Sequence, residues 1–125
     1  MIVGIGVDIV KVFRIEKAIS SWGNRFIKRI FTSHEYNFIS TKHNQNSAFA
    51  LHFAAKEAFS KAIGTGMRGG FKWSDVEVFH NLSGKPSLRL YGHANELCQE
   101  LGINGFHLSL SDDNGLAIAM VVLES

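Results

Sequence analysis

Residues 47–63, SAFALHFAAKEAFSKAI, constrain the rest of the chain more than any other stretch. Apolar residues recur there with the 3.6-residue period of an α-helix. Gly64, with Gly66 just beyond, supplies the stop that a helix C-terminus favours. Phe53, Ala54, Ala55, Ala58, Phe59 and Ala62 make nearly every neighbouring position apolar or small. A helix of that composition is buried over much of its surface, so the fold must be built around it. Two charged residues, Glu57 and Lys61, are set into it four positions apart. Their order suits a surface ion pair, worth only roughly 0.2–0.5 kcal/mol. The apolar surroundings give a second reading, in which both charges serve a site.

The remaining segments must cover this helix. Residues 2–10, IVGIGVDIV, alternate as a strand does, with Val3, Ile5, Val7 and Ile9 on one face and Gly4, Gly6 and Asp8 on the other. The branched face is expected to be core and the glycine face nearly bare. A helix is expected over 13–20, then a turn at Gly23-Asn24 and a basic helical segment from Arg25 to Phe31. Thr32 or Ser33 caps a further short helix with Glu35 or Tyr36 in its first turn. Residues 41–46 and the glycine-rich GTGMRGGFK read as loops. VEVFH and PSLRLY read as strands joined by NLSGK, and a helix over 92–101 stops at Gly102. The final GFHLSLSDDNGLAIAMVVLE reads as a hairpin turning at residues 112–115, with His107, Ser109 and Ser111 on one face and Phe106, Leu108 and Leu110 on the other. This order predicts an α+β fold in a single domain spanning 1–125, with a mostly antiparallel sheet packed on the long central helix.

Composition narrows the classes of function. A chain of 125 residues with 46% hydrophobic content can build one real core. Its longest apolar run is far below the roughly 20 residues that cross a bilayer, and no basic region precedes a long apolar stretch at the start, so a cytoplasmic location away from membranes is expected. Cys98 is the one cysteine, which leaves no internal disulfide and no thiolate cluster for zinc. In HANELCQELG it reads as a buried helix position. The formal charge of +2 is modest, but Lys11, Arg14, Lys17, Arg25, Lys28 and Arg29 all fall in the first quarter. That cluster fits a solvated helical face, or a docking surface for a phosphate-bearing small molecule, an acidic protein or a nucleic acid. The aromatic platforms and glycine-rich signatures of nucleic-acid modules are absent, so no nucleic-acid partner is expected.

Asp8 closes an apolar strand on its glycine face, where a carboxylate is costly unless it caps the following turn or meets a cation. If Asp8 and Glu57 converge, they make a hard-oxygen site suited to Mg²⁺, which takes one or two protein carboxylates and binds substrate phosphates. Lys61, one turn farther along, would then neutralise phosphate oxygens. Gly64-Thr65-Gly66 leaves backbone amides open to an anion, and is equally ordinary helix termination. Ser and His alternate in the last hairpin without the third partner of a hydrolase triad.

Four segments, GIGVDIV, FAAKEAFSKAIGTG, SGKPSLRL and SLSDDNGLAIAMVV, together resemble the holo-[acyl-carrier-protein] synthase family of small bacterial phosphopantetheinyl transferases, from one end of the chain to the other. The resemblance implies a Mg²⁺-dependent enzyme that moves 4′-phosphopantetheine from coenzyme A to a serine of apo acyl carrier protein, in support of fatty acid biosynthesis. It implies that Asp8 and Glu57 bind the metal and that Lys61 contacts the coenzyme A pyrophosphate. Gly64 and Gly66 match the loop beside the nucleotide, and Gly84, Lys85 and Pro86 match a loop near its adenine end. Arg14, Arg25 and Arg29 match the positions that grip the acidic carrier protein, and a homotrimer with active sites between subunits is implied. Two positions depart from the family. His52, a weaker and pH-dependent cation, stands where a phosphate-binding arginine is usual, with Lys42 or His43 as a substitute base. Asp112 stands where the family's closing pattern, here Ser109-Leu110-Ser111, continues to a histidine, which bears on the contact of Ser109 with coenzyme A.

Overall fold

The computed structural model describes Met1–Ser125 and is organised around the helix that dominates the sequence. Strand β1 (Ile2–Lys11) runs directly into helix α1 (Val12–Trp22), and α2 (Asn24–Ile30) follows a sharp turn at Gly23. Helix α3 (Ser33–Ser40) is capped by Thr32, whose side chain accepts from the Glu35 amide while the Glu35 carboxylate accepts from the Thr32 amide. The long helix α4 (Gln45–Ile63) begins earlier than its apolar pattern does. Asn44 caps it by accepting from the Ser47 amide at 3.1 Å, so Gln45 and Asn46, expected in a loop, form its first turn. Gly64 ends it in the left-handed conformation at φ 91°, which a residue with a Cβ adopts only with strain.

Two short 3-10 turns lead to the hairpin of β2 (Val76–His80) and β3 (Pro86–Leu90), then to α5 (Gly92–Glu100). The chain closes with the hairpin of β4 (Gly105–Asp113) and β5 (Leu116–Glu124), joined by the tight turn Asn114-Gly115. All pairings are antiparallel. The first and last strands are neighbours, giving a three-stranded sheet in the order β1-β5-β4 beside the two-stranded sheet β2-β3. The α+β class and the antiparallel sheet on a long central helix are as the sequence implies.

The core is one cluster around α4, with Ala50, Ala54, Ala55, Ala58 and Phe59 fully buried. Ala117, Ala119, Val121 and Leu123 of β5 close it from the sheet side. Cys98 is buried in α5 as expected, and burial pushes its thiol up to about 11, which leaves it inert.

One expectation is reversed. The alternation assigns Val3, Ile5, Val7 and Ile9 of β1 to the core, yet they are 44–60% exposed. The glycine face is the one that meets the helix. A Cβ at Gly4 would overlap the carbonyl oxygen of Ala62, and one at Gly6 that of Ala58. The strand lies backbone against backbone on α4, a contact that needs no side chains and that hydrophobic alternation therefore does not report.

Candidate active site

The close approach of β1 to α4 sets the position of Asp8. It lies two residues beyond Gly6 on the same face, and its side chain is 14% exposed. Lys61, one turn after Glu57 on α4, donates from Nζ to Asp8 Oδ1 at 3.0 Å and to the Val7 carbonyl oxygen at 3.1 Å. Glu57 is half-buried, and its carboxyl is pushed above the usual range by burial first and by the Asp8 charge second, against the pull of Lys61 and Arg14. Asp8 and Glu57 therefore converge, and Lys61 pairs with Asp8 across elements instead of with Glu57 along the helix. Arg14 on α1 is near enough to act on Glu57, which brings the basic N-terminal helices to the rim of this cluster.

A second group of expected residues gathers elsewhere. His52, Gly84, Asp112, Lys42 and His43 line one cavity of about 550 Å³, together with Phe38 and His80. His52 and Asp112, the two positions where the resemblance implies a departure, thus face the same space. Lys85 and Pro86 follow Gly84 in a turn held by Asn81, whose side chain accepts from the Lys85 amide at 2.9 Å. Gly64 and Gly66 lie at the end of α4, one turn beyond Lys61.

His52 does not behave as the sequence suggests. It is 2% exposed, and its Nδ1–H donates to the Ala48 carbonyl oxygen at 2.8 Å. Burial pushes its pKa to about 3, so at neutral pH it is an uncharged imidazole and no cation. Its Nε2 is left with a lone pair and no partner. The ring instead belongs to an aromatic cluster in which His80 stacks on Phe38 with centroids 4.1 Å apart. Positive charge at this cavity comes from Lys42, whose Nζ lies 4.4 Å from the Phe38 ring centroid.

Ser109 stands apart from both groups. It pairs with Met120 of β5, which pairs with Val7 of β1, on the sheet face turned away from α4. Asp8 is on the opposite face, so Ser109 does not reach the carboxylates of its own chain. Arg14, Arg25 and Arg29 are all exposed on α1 and α2. Arg25 and Arg29 flank a groove with Trp22 and Phe26.

The sequence reading missed Lys56. This lysine is fully buried, and its Nζ donates to Glu35 Oε1 at 2.8 Å, to the Trp73 carbonyl oxygen at 3.2 Å and to the Val76 carbonyl oxygen. Glu35 also accepts from the Val78 amide at 2.9 Å. Neighbouring Glu77 accepts from Thr32 Oγ1 at 2.6 Å and from the Tyr91 hydroxyl at 2.9 Å. The network fixes α4 to α3 and β2 on its far side, as the glycines fix it to β1. Its signal in the sequence is a lysine enclosed by alanines in FAAKEA.

Carboxylates of a strand and a helix brought together by glycine packing, with a lysine one helical turn away, present oxygen donors of the kind hard cations prefer beside a positive charge that suits an anion. Residues 4–121 match the 4′-phosphopantetheinyl transferase superfamily, and the chain belongs to it. It is 48% identical over 124 residues to a holo-[acyl-carrier-protein] synthase of Geobacter sp. (strain M21), with 99% of each chain covered. Its fold matches the crystal structure of holo-[acyl-carrier-protein] synthase from Neisseria meningitidis with a TM-score of 0.93 at 37% identity, covering 100% of both chains. It also matches the Helicobacter pylori synthase solved in complex with coenzyme A, with a TM-score of 0.85 at 32% identity, covering 96% of this chain and 99% of that one.

Proposed function

We propose that this chain is a holo-[acyl-carrier-protein] synthase, which transfers 4′-phosphopantetheine from coenzyme A to a serine of apo acyl carrier protein and serves fatty acid biosynthesis. The observation that carries this reading is the convergence of Asp8, Glu57 and Lys61 at the glycine contact between β1 and α4. In the reaction the serine oxygen forms a bond to the β-phosphorus of coenzyme A. The bond from that phosphorus to the bridging oxygen breaks, and adenosine 3′,5′-bisphosphate leaves. Such transfers depend on positioning and charge neutralisation more than on covalent help.

Asp8 and Glu57 would hold Mg²⁺. The fit rests on the donor set: two neighbouring carboxylates, with Glu57 pushed up by burial and by the Asp8 charge, are the hard oxygens this cation prefers. When bound, the ion supplies positive charge to the pyrophosphate oxygens. Lys61, half-exposed beside the carboxylates, offsets charge on the leaving group. Glu57 accepts the serine proton.

The acidic carrier protein docks on Arg14, Arg25 and Arg29, and the effect of Arg14 on Glu57 supports a docking face that borders the site. Coenzyme A extends toward Gly64, Gly66 and the turn at Gly84, Lys85 and Pro86. His52 contributes there as a neutral wall, and Lys42 as the charge. A homotrimer is supported by the open sheet face, where Ile5, Val7, Ile9, Ile118 and Met120 are 39–60% exposed. Because Ser109 lies on that same face, it would serve a neighbouring subunit's site. A cytoplasmic location follows from the substrates of the proposed reaction, and no helix is long and apolar enough to cross a membrane.

Mass spectrometry of apo acyl carrier protein incubated with this protein, coenzyme A and Mg²⁺ tests the reading. The expected result is a gain of one phosphopantetheine, lost with chelator or with Asp8→Ala. Absence of any gain under conditions where an established synthase works would count against transferase activity. Full turnover by Glu57→Gln would remove Glu57 as proton acceptor.

A further inference from the structure

Lys61 is asked to do two things that one ammonium cannot do at once. In the structure its Nζ is committed to β1, donating to Asp8 Oδ1 at 3.0 Å and to the Val7 carbonyl oxygen at 3.1 Å. Asp8 has no other ion-pair partner. While the ammonium sits there, its charge and its hydrogen bond to Oδ1 disfavour a dication at the same oxygen. While it stays there, it is also unavailable to a phosphate-bearing ligand.

We propose that Lys61 is an internal cation that holds Asp8 until a divalent metal ion takes its place, and that this exchange releases Lys61 to the pyrophosphate of the incoming ligand. The inference rests on the metal site and transferase reading above and adds a coupling between the two ligands. Three features carry it. The Lys61 side chain is 52% exposed, so its pair with Asp8 is screened by water and easily broken. The backbones of β1 and α4 are locked together at Gly4 and Gly6, so the exchange is a side-chain movement with no change in the fold. The Glu57 carboxylate forms no ion pair, so the second carboxylate of the site has no cation of its own even with Lys61 in place.

Binding of metal and of pyrophosphate ligand then favour each other by linkage, beyond any direct contact between them. The metal frees the lysine that the ligand needs, and the ligand keeps that lysine away from the carboxylate that the metal needs.

Heteronuclear NMR of the lysine ε positions tests this directly, with the Lys61 signal assigned by its loss in Lys61→Arg. On titration with MgCl₂ alone, the Lys61 signal is expected to leave its ion-paired position along the same saturation curve as metal binding measured by calorimetry. Coenzyme A added afterwards is expected to move it a second time. Magnesium binding with an unmoved Lys61 signal would overturn the exchange while leaving the metal site intact. Absence of magnesium binding would overturn both. A second arm separates exchange from simple removal of nearby charge. Lys61→Met is expected to bind Mg²⁺ up to about fivefold tighter without coenzyme A, whereas Arg14→Met, which removes a cation that acts on Glu57, is not. Equal tightening in both variants would count against the exchange.

Discussion

Lys56 and Glu57 are adjacent in sequence and opposite in environment. The first is sealed in the core with every donor direction occupied, and the second is half-buried with an unpaired carboxylate. A helix turns by about 100° per residue, so neighbouring side chains serve different faces. Removing one partner of the buried Lys56–Glu35 pair would leave an uncompensated charge in the core. The sequence shows charges inside an apolar helix but does not say which is interior, because the partners, Glu35 and the carbonyl oxygens of Trp73 and Val76, are remote in the chain. His52 gives a prediction at this scale. Its folded pKa of about 3 lies below its ordinary value of 6.5, so the unfolded chain takes up a proton first as the pH falls. The stability tied to the neutral ring is fully present above pH 6.5 and is lost progressively toward pH 3, by on the order of a few kcal/mol in total. Urea unfolding across this range is expected to show a shallower acid slope in His52→Gln than in the parent. A His52 ring titrating near pH 6 by NMR would contradict the buried, neutral assignment.

Among the elements, α4 and the closing hairpin were legible because each carries both a periodicity and a stop. The helix has its 3.6-residue repeat and Gly64, and the hairpin has its alternation and Asn114-Gly115. Strand β1 was legible as a strand and misread as a surface. Its branched residues obey the alternation that usually marks a core face, but the helix packs on the bare face, where no side chain exists to announce it. The convergence of Asp8, Glu57 and Lys61 was legible as a possibility in the sequence, but the pairing was not, since Lys61 binds across to the strand and not along the helix. Gly6→Ala tests the contact that brings them together. The added Cβ would meet the Ala58 carbonyl oxygen, and overpacking of this kind costs about 1–3 kcal/mol. Because the strand must lift from α4 to make room, transferase activity is expected to fall well beyond the loss of folded protein. A variant with a lowered melting temperature but unchanged activity in the folded fraction would show that Asp8 does not depend on that approach.

On the scale of the whole molecule, the exposed branched face of β1 continues across β5 through Ile118 and Met120. Charged substitution there is expected to leave the monomer fold intact and to abolish assembly. Met120→Glu is expected to sediment as a monomer, with activity lost if Ser109 serves a neighbouring site, while the parent sediments as a trimer. A monomeric parent would refute the assembly. The backbone contact between β1 and α4 also bears on how such a protein can diversify. An interface made of side chains can be retuned one substitution at a time, but one made of glycines against helical carbonyl oxygens offers nothing to vary. If the carrier protein docks on Arg14, Arg25 and Arg29 as proposed, a change of partner would fall on that rim and leave the spacing between the two carboxylates untouched.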